Sequence, residues 1–241
     1  MEEQLSNEKS KMKLSIPASI LIAGVMISLT IYFTGINGTP KTATPKPNPA
    51  EPTLQEVDIK NVEVREDPFI GVSNAPITMV YWSDYQCPFC KKTETEVLPT
   101  LKRDYVDTGK MKIVFKDFVF LGPDSIEAAL FDRAVWELYP EQYFTWREAM
   151  YAMQDEEGGE GFGDRTSIED VTQGISGIDQ SKVSAAVDAN IDAYKASIQA
   201  DYIEGQSFGI NGTPSVIIGT TLINGAQPLA AFIDAITKVE K

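Results

Sequence analysis

The chain has 241 residues, 43% of them hydrophobic and 23% charged, the balance of a protein that folds around a core. It contains no histidine, which excludes Ser-His-Asp and Cys-His catalysis and histidine-based zinc or haem sites. A formal charge of −14 repels phosphate backbones, so nucleic acid is not an expected partner, and two cysteines, Cys87 and Cys90, are too few for a disulfide framework.

Residues 1–13 form a short tail in which Lys9, Lys11 and Lys13 precede an uncharged run of 20 residues, Leu14 to Phe33. As a helix that run reaches about 30 Å, enough to span a bilayer. The flanking lysines predict a cytoplasmic tail (1–13), a single transmembrane anchor (14–33) and an extracytoplasmic location for the chain beyond residue 33. A cleaved signal peptide is the rival reading, but no small-x-small site directly succeeds Phe33. Residues 34–53 then change character: Pro40, Pro45, Pro47, Pro49 and Pro52 fall among polar residues and predict an extended linker. Residues 1–53 carry 5 basic and 4 acidic side chains, so nearly all the negative charge lies on the working domain, 54–241.

In that domain VDIKNVEV (57–64) alternates like a strand, and ITMVYWS (77–83) reads as a buried one. A helix is expected from Pro88 to about Tyr105 with a kink at Pro99, followed by a strand over 111–120. From Ser125 to about Phe208 the pattern is helical, interrupted by the glycine-rich acidic stretch 154–164. Asp155, Glu156, Glu157, Glu160 and Asp164 offer oxygen ligands there, but their spacing is not that of an EF-hand, and a solvated loop is expected. Strands at 215–219 and about 220–223 and a helix over 229–238 close the chain. This order describes an α/β fold, a sheet with helices packed on it and one helical insertion.

The motif SDYQCPFCKK ends a strand and opens a helix. With Pro88 as the first helical residue, Cys87 is the N-cap, and its sulfur faces the unpaired N–H groups of Phe89 and Cys90, which favour a thiolate. Cys87 is therefore the expected nucleophile and the shielded Cys90 the resolving thiol, with Lys91 either a cationic support or a solvated helix charge. A zinc half-site lacks further cysteine or histidine ligands, and a structural disulfide across two residues would constrain little of the unfolded chain. Downstream, GINGTPSVIIG (209–219) sets Thr213 and Pro214 directly before a buried strand.

A CxxC at a helix start, a helical block and a Thr-Pro before the penultimate strand together resemble the DsbA-like branch of the thioredoxin superfamily. The two stretches that carry the likeness are PFIGVSNAPITMVYWSDYQCPFC (68–90) and FGINGTPSVIIG (208–219). The resemblance implies a thioredoxin-like fold with a helical domain inserted at about 122–208, and a cis Thr213–Pro214 peptide beside the cysteines that binds substrate. It also implies thiol-disulfide exchange through the Cys87–Cys90 disulfide, with no other cofactor. The expected activity is a membrane-anchored oxidase, working as a monomer on unfolded or folding exported proteins. Its expected redox partner is a membrane protein of the DsbB or vitamin K epoxide reductase type. A reductase or isomerase kept reduced by a membrane donor is the alternative, and a non-catalytic peptide-binding module a more distant one.

Pro88, Phe89, Tyr81 and Asp84 are the expected supporting residues. Many family members carry a buried acid six positions before the first cysteine; Tyr81 stands there, and Asp84 is the nearest acidic substitute. Phe89 occupies the position of a histidine in the strongest oxidase of the family, which implies a milder oxidant here.

Overall fold

The computed structural model describes residues 57–155 and 162–241. The expected tail, anchor and linker, and Glu156, Glu157 and Glu160 of the acidic stretch, lie outside the described residues. Among the described residues no helix is long and apolar enough to cross a membrane.

Among the described residues five strands form one sheet: β1 (Phe69–Ile70), β2 (Ile77–Ser83), β3 (Met111–Asp117), β4 (Ser215–Ile218) and β5 (Thr221–Asn224), in the order β1-β3-β2-β4-β5. β2 pairs parallel with β3 and antiparallel with β4. The parallel pair requires a crossover. It is supplied by α1 (Pro88–Glu96), α2 (Leu98–Leu101) and one turn of π-helix over Lys102–Val106. As expected, the helix is broken ahead of Pro99, which has no N–H to donate: Val97 has φ −112° and separates α1 from α2.

β2 and β3 are buried on both faces, which explains their nearly continuous apolar sequences. Met79, Tyr81, Ile113 and Phe115 face one core, which the helical insertion shares, while Val80, Trp82 and Val114 face a second, smaller one. The remaining α-helices of the described residues are α3 (Pro123–Leu138), α4 (Tyr143–Met153), α5 (Arg165–Gly174), α6 (Gln180–Ser207, kinked at Asn190) and α7 (Leu229–Val239). The insertion thus spans α3 to α6, as expected. Asp164, one of the suspected cation ligands, instead caps α5 by accepting a hydrogen bond from the Ser167 N–H at 2.8 Å.

The strand expected over 57–64 is absent. Asp58 accepts a hydrogen bond from the Lys60 N–H at 2.9 Å and turns Ile59–Asn61 into a 3-10 helix. The alternation has a different cause: Val62 is buried in the smaller core, with Val57 and Ile59 packed against it.

Lys116 breaks the apolar run of β3 and is fully buried. Its Nζ donates to Asp67 at 2.7 Å and to Asp201 at 2.9 Å, and lies 3.0 Å from Glu204. Arg133 of α3 joins Asp67, Asp117 and Asp201. Asp201 of α6 therefore connects three cations, Lys116, Arg133 and, at 3.3 Å, Arg65, with the Asp117 N–H at 3.2 Å and, through its carbonyl, the Trp82 indole at 3.1 Å. Gly205, one turn later, lets α6 approach this face, because a Cβ there would lie 3.0 Å from Phe118 and 3.1 Å from Trp82.

Removing one partner from such a network leaves buried charge uncompensated, which typically costs about 3–5 kcal/mol. Asp201→Ala is expected to lower the urea unfolding free energy by about that amount at an unchanged m-value. Denaturation followed by tryptophan fluorescence checks it.

Candidate active site

The C-terminal end of β2 sets the site. The last β2–β4 pair is Trp82–Ser215, so the Thr213–Pro214 segment just before β4 lies beside the chain leaving β2 toward Cys87. The Thr213–Pro214 peptide is cis. The Thr213 carbonyl accepts a hydrogen bond from the Cys87 thiol at 3.4 Å. Two segments more than a hundred residues apart in sequence thus meet at one sulfur.

Cys87 is the N-cap of α1 and Pro88 its first residue. Both cysteines are free thiols and buried, and Cys90 has no exposed surface. Their acidities diverge. A hydrogen bond from Cys90 is the main reason that the Cys87 pKa falls from an ordinary value near 9 to about 6. Burial opposes this fall, whereas Thr213 and the backbone N–H groups of Cys90 and Phe89 assist it. Cys90 moves the other way: burial pushes its thiol well above the usual range, and the neighbouring Cys87 adds to the effect. Thr213 favours the thiolate form of both sulfurs.

The loop between β2 and α1 is held by Asp84. Its carboxylate accepts hydrogen bonds from the Gln86 N–H at 2.9 Å and from the Phe120 and Leu121 N–H groups at 3.0 and 3.4 Å. Both oxygens are thereby engaged in shaping the loop. Burial nevertheless raises the Asp84 pKa. Lys91 directs its ammonium at the Gln154 carbonyl, 2.5 Å away. Tyr81 is fully buried beneath the site, its hydroxyl without a hydrogen-bond partner.

Phe89 is the opposite case, 62% exposed although aromatic. Phe120 and Leu121, anchored by Asp84, and Met153, next to the residue that binds Lys91, are also exposed. The motif is therefore flanked by apolar side chains that face solvent.

Sequence reasoning missed the base of the site. Glu94 lies one turn after Cys90 on the buried side of α1 and pairs with Arg147 of α4 at 2.6 Å. The buried Arg147 guanidinium also donates to the Ser83 hydroxyl at 2.8 Å and lies 4.1 Å from the Phe115 ring centroid. An acidic residue four positions after Cys90 in an otherwise inward-facing row was the available signal.

A family model described as Thioredoxin matches residues 63–238. The chain belongs to the thioredoxin family. Disulfide bond formation protein D of Bacillus subtilis is 27% identical over 167 residues, covering 66% of this chain and 71% of the relative. Among solved structures, oxidised BdbD from Bacillus subtilis superposes with a TM-score of 0.69 at 22% identity, covering 78% of this chain and 98% of that one. The thiol-disulfide exchange protein alpha-DsbA2 from Wolbachia pipientis gives 0.63 at 29% identity, with 72% and 87% covered. The protein is a DsbA-like thiol-disulfide oxidoreductase with a thioredoxin-like fold and a helical insertion.

The lowered Cys87 pKa has a signed consequence for the reduced protein of this family member. A thiolate held in the folded state contributes stability that is fully present above about pH 9 and is lost as pH falls through about 6. At about 1.4 kcal/mol per tenfold change in acidity, about 4 kcal/mol is the upper bound of this contribution, which solvent screening at the part-exposed sulfur reduces. Thiolate absorbance and alkylation of Cys87 are expected to titrate with a midpoint near pH 6, and Cys87→Ser to abolish both. A midpoint near 9 would contradict this environment.

Proposed function

We propose that the protein introduces disulfide bonds into exported proteins through the Cys87–Cys90 pair. The observation that carries the reading is the opposite acidity of the two thiols, low at Cys87 and high at Cys90. A low-pKa thiol is a good leaving group, so a mixed disulfide through Cys87 is readily opened by an incoming substrate thiolate. In the oxidising cycle a substrate thiolate attacks Cys87 Sγ and the Cys87–Cys90 bond breaks. A second substrate thiolate then attacks the substrate sulfur, the oxidised substrate leaves, and Cys87 departs as thiolate.

The cysteine pair itself carries the electrons, and reoxidation falls to a membrane partner of the DsbB or vitamin K epoxide reductase type. The apolar rim of Phe89, Phe120, Leu121 and Met153 suits unfolded chain segments, and the Thr213–Pro214 segment suits pairing with an extended one. The lysine-flanked run 14–33 supports a single-pass anchor with the domain outside the cytoplasm.

In cells, alkylation with a mass tag is expected to find Cys87 and Cys90 predominantly as a disulfide. A predominantly dithiol state would make the protein a reductase or isomerase. Cys90→Ser is expected to accumulate mixed disulfides with exported proteins and Cys87→Ser to accumulate none. The reverse pattern would overturn the assignment of roles.

A further inference from the structure

The methionines of the described residues divide sharply. Met79, Met111 and Met150 have no exposed surface, whereas Met153, one turn after Met150 on the same helix, is 57% exposed. Burial shields a thioether from dissolved reagents, and exposure offers its sulfur lone pairs to them.

The place of Met153 is set by its neighbour. Met153 is the last residue of α4 and Gln154 its C-cap. Gln154 is buried; its Nε2 donates to the Tyr85 carbonyl at 2.6 Å, and its own carbonyl accepts from Lys91 Nζ. Tyr85 stands shortly before Cys87, and the Lys91 N–H donates to the Cys87 carbonyl at 3.1 Å. One residue thus ties the end of α4 to both sides of the cysteine motif and holds Met153 on the apolar rim. Met153 buries little of itself there, so packing of α4 does not account for it. A thioether is polarizable and conformationally adaptable, which suits contact with varied apolar chains. It is also the group of that rim that mild oxidants can alter.

We propose that Met153 is a site of reversible oxidation, at which a hydroperoxide converts the thioether to the sulfoxide and weakens the capture of unfolded chains. The inference rests on the disulfide-forming reading above. The methionine sulfur attacks one peroxide oxygen, the O–O bond breaks, and the departing oxygen takes a proton; from hydrogen peroxide it leaves as water. The sulfur loses two electrons and gains one oxygen, and the peroxide is reduced. A polar, chiral S=O group then replaces an apolar one, and a methionine sulfoxide reductase restores the thioether.

The state of the cysteines decides which sulfur reacts. In the dithiol form the Cys87 thiolate competes for the oxidant. The disulfide form has no thiolate, and Met153 is then the accessible sulfur among the described residues, since Cys87 and Cys90 are 3% and 0% exposed. The disulfide form is also the one that receives reduced substrate in the proposed cycle. The modification therefore falls on the form whose binding surface it changes.

Treating the full chain, with its Cys87–Cys90 disulfide formed, with hydrogen peroxide and quenching with catalase tests this. Peptide mass spectrometry is expected to find the added oxygen on Met153 at least about tenfold more often than on Met79, Met111 or Met150. The second-order rate constant for oxidation of reduced, unfolded ribonuclease is expected to fall at least about threefold, while reduction of the disulfide by glutathione, too small to span the rim, keeps its rate. A pair of methionine sulfoxide reductases, one for each sulfoxide epimer, is expected to restore the ribonuclease rate. In Met153→Leu, peroxide is expected to cause no loss relative to the untreated variant.

Even oxidation of the four methionines would overturn the inference, as would complete oxidation of Met153 with an unchanged ribonuclease rate. A loss of equal size in Met153→Leu would trace the effect to another residue, and one of equal size toward glutathione would trace it to the cysteines; either overturns the inference. An untreated chain unable to oxidise ribonuclease would refute the proposed function, and this inference with it.

Discussion

β2 is the central strand of the sheet, and its register is fixed on both sides, by β3 through seven parallel pairs and by β4 through four antiparallel ones. A slip of one residue would turn Tyr81 and Trp82 to the opposite faces, so the register is strongly determined. That constraint brings the start of α1 and the Thr213–Pro214 segment to one point. The Thr213 carbonyl, the Cys87 sulfur and the first N–H groups of α1 are then neighbours without any local sequence requirement to make them so.

The chemical consequence is an asymmetric dithiol. Cys87 sits where a helix N-terminus, a thiol donor and a threonine favour negative charge, whereas Cys90, one turn deeper, has burial as its dominant influence. Two thiols separated by two residues therefore differ in acidity by much more than their sequence positions suggest.

Much of this was legible in the sequence because it depends on local signals. Proline after Cys87 fixes the helix start, Pro99 interrupts the helix, and Thr-Pro before a β-branched run marks the entry of β4. The strand expected at 57–64 failed because alternation reports burial, and a 3-10 turn against the smaller core buries alternate residues too. Arg147 could not be assigned from sequence, since its carboxylate partner is 53 positions away. Lys116 in an otherwise apolar strand and Glu94 on the inward face of α1 were visible signals, each an ionisable group where burial demands a partner.

The central claim, that this family member's dithiol is poised between a strong oxidant and a reductant, is tested most directly by its reduction potential. Equilibration with glutathione buffers, read by alkylation of Cys87 and Cys90, gives that potential. A Cys87 pKa of about 6 lies between the values of about 3.5 for DsbA and about 7 for thioredoxin, whose potentials are about −120 and −270 mV. The account predicts a single two-electron transition between those limits. A potential below about −270 mV, or the absence of a reversible Cys87–Cys90 disulfide, would contradict it.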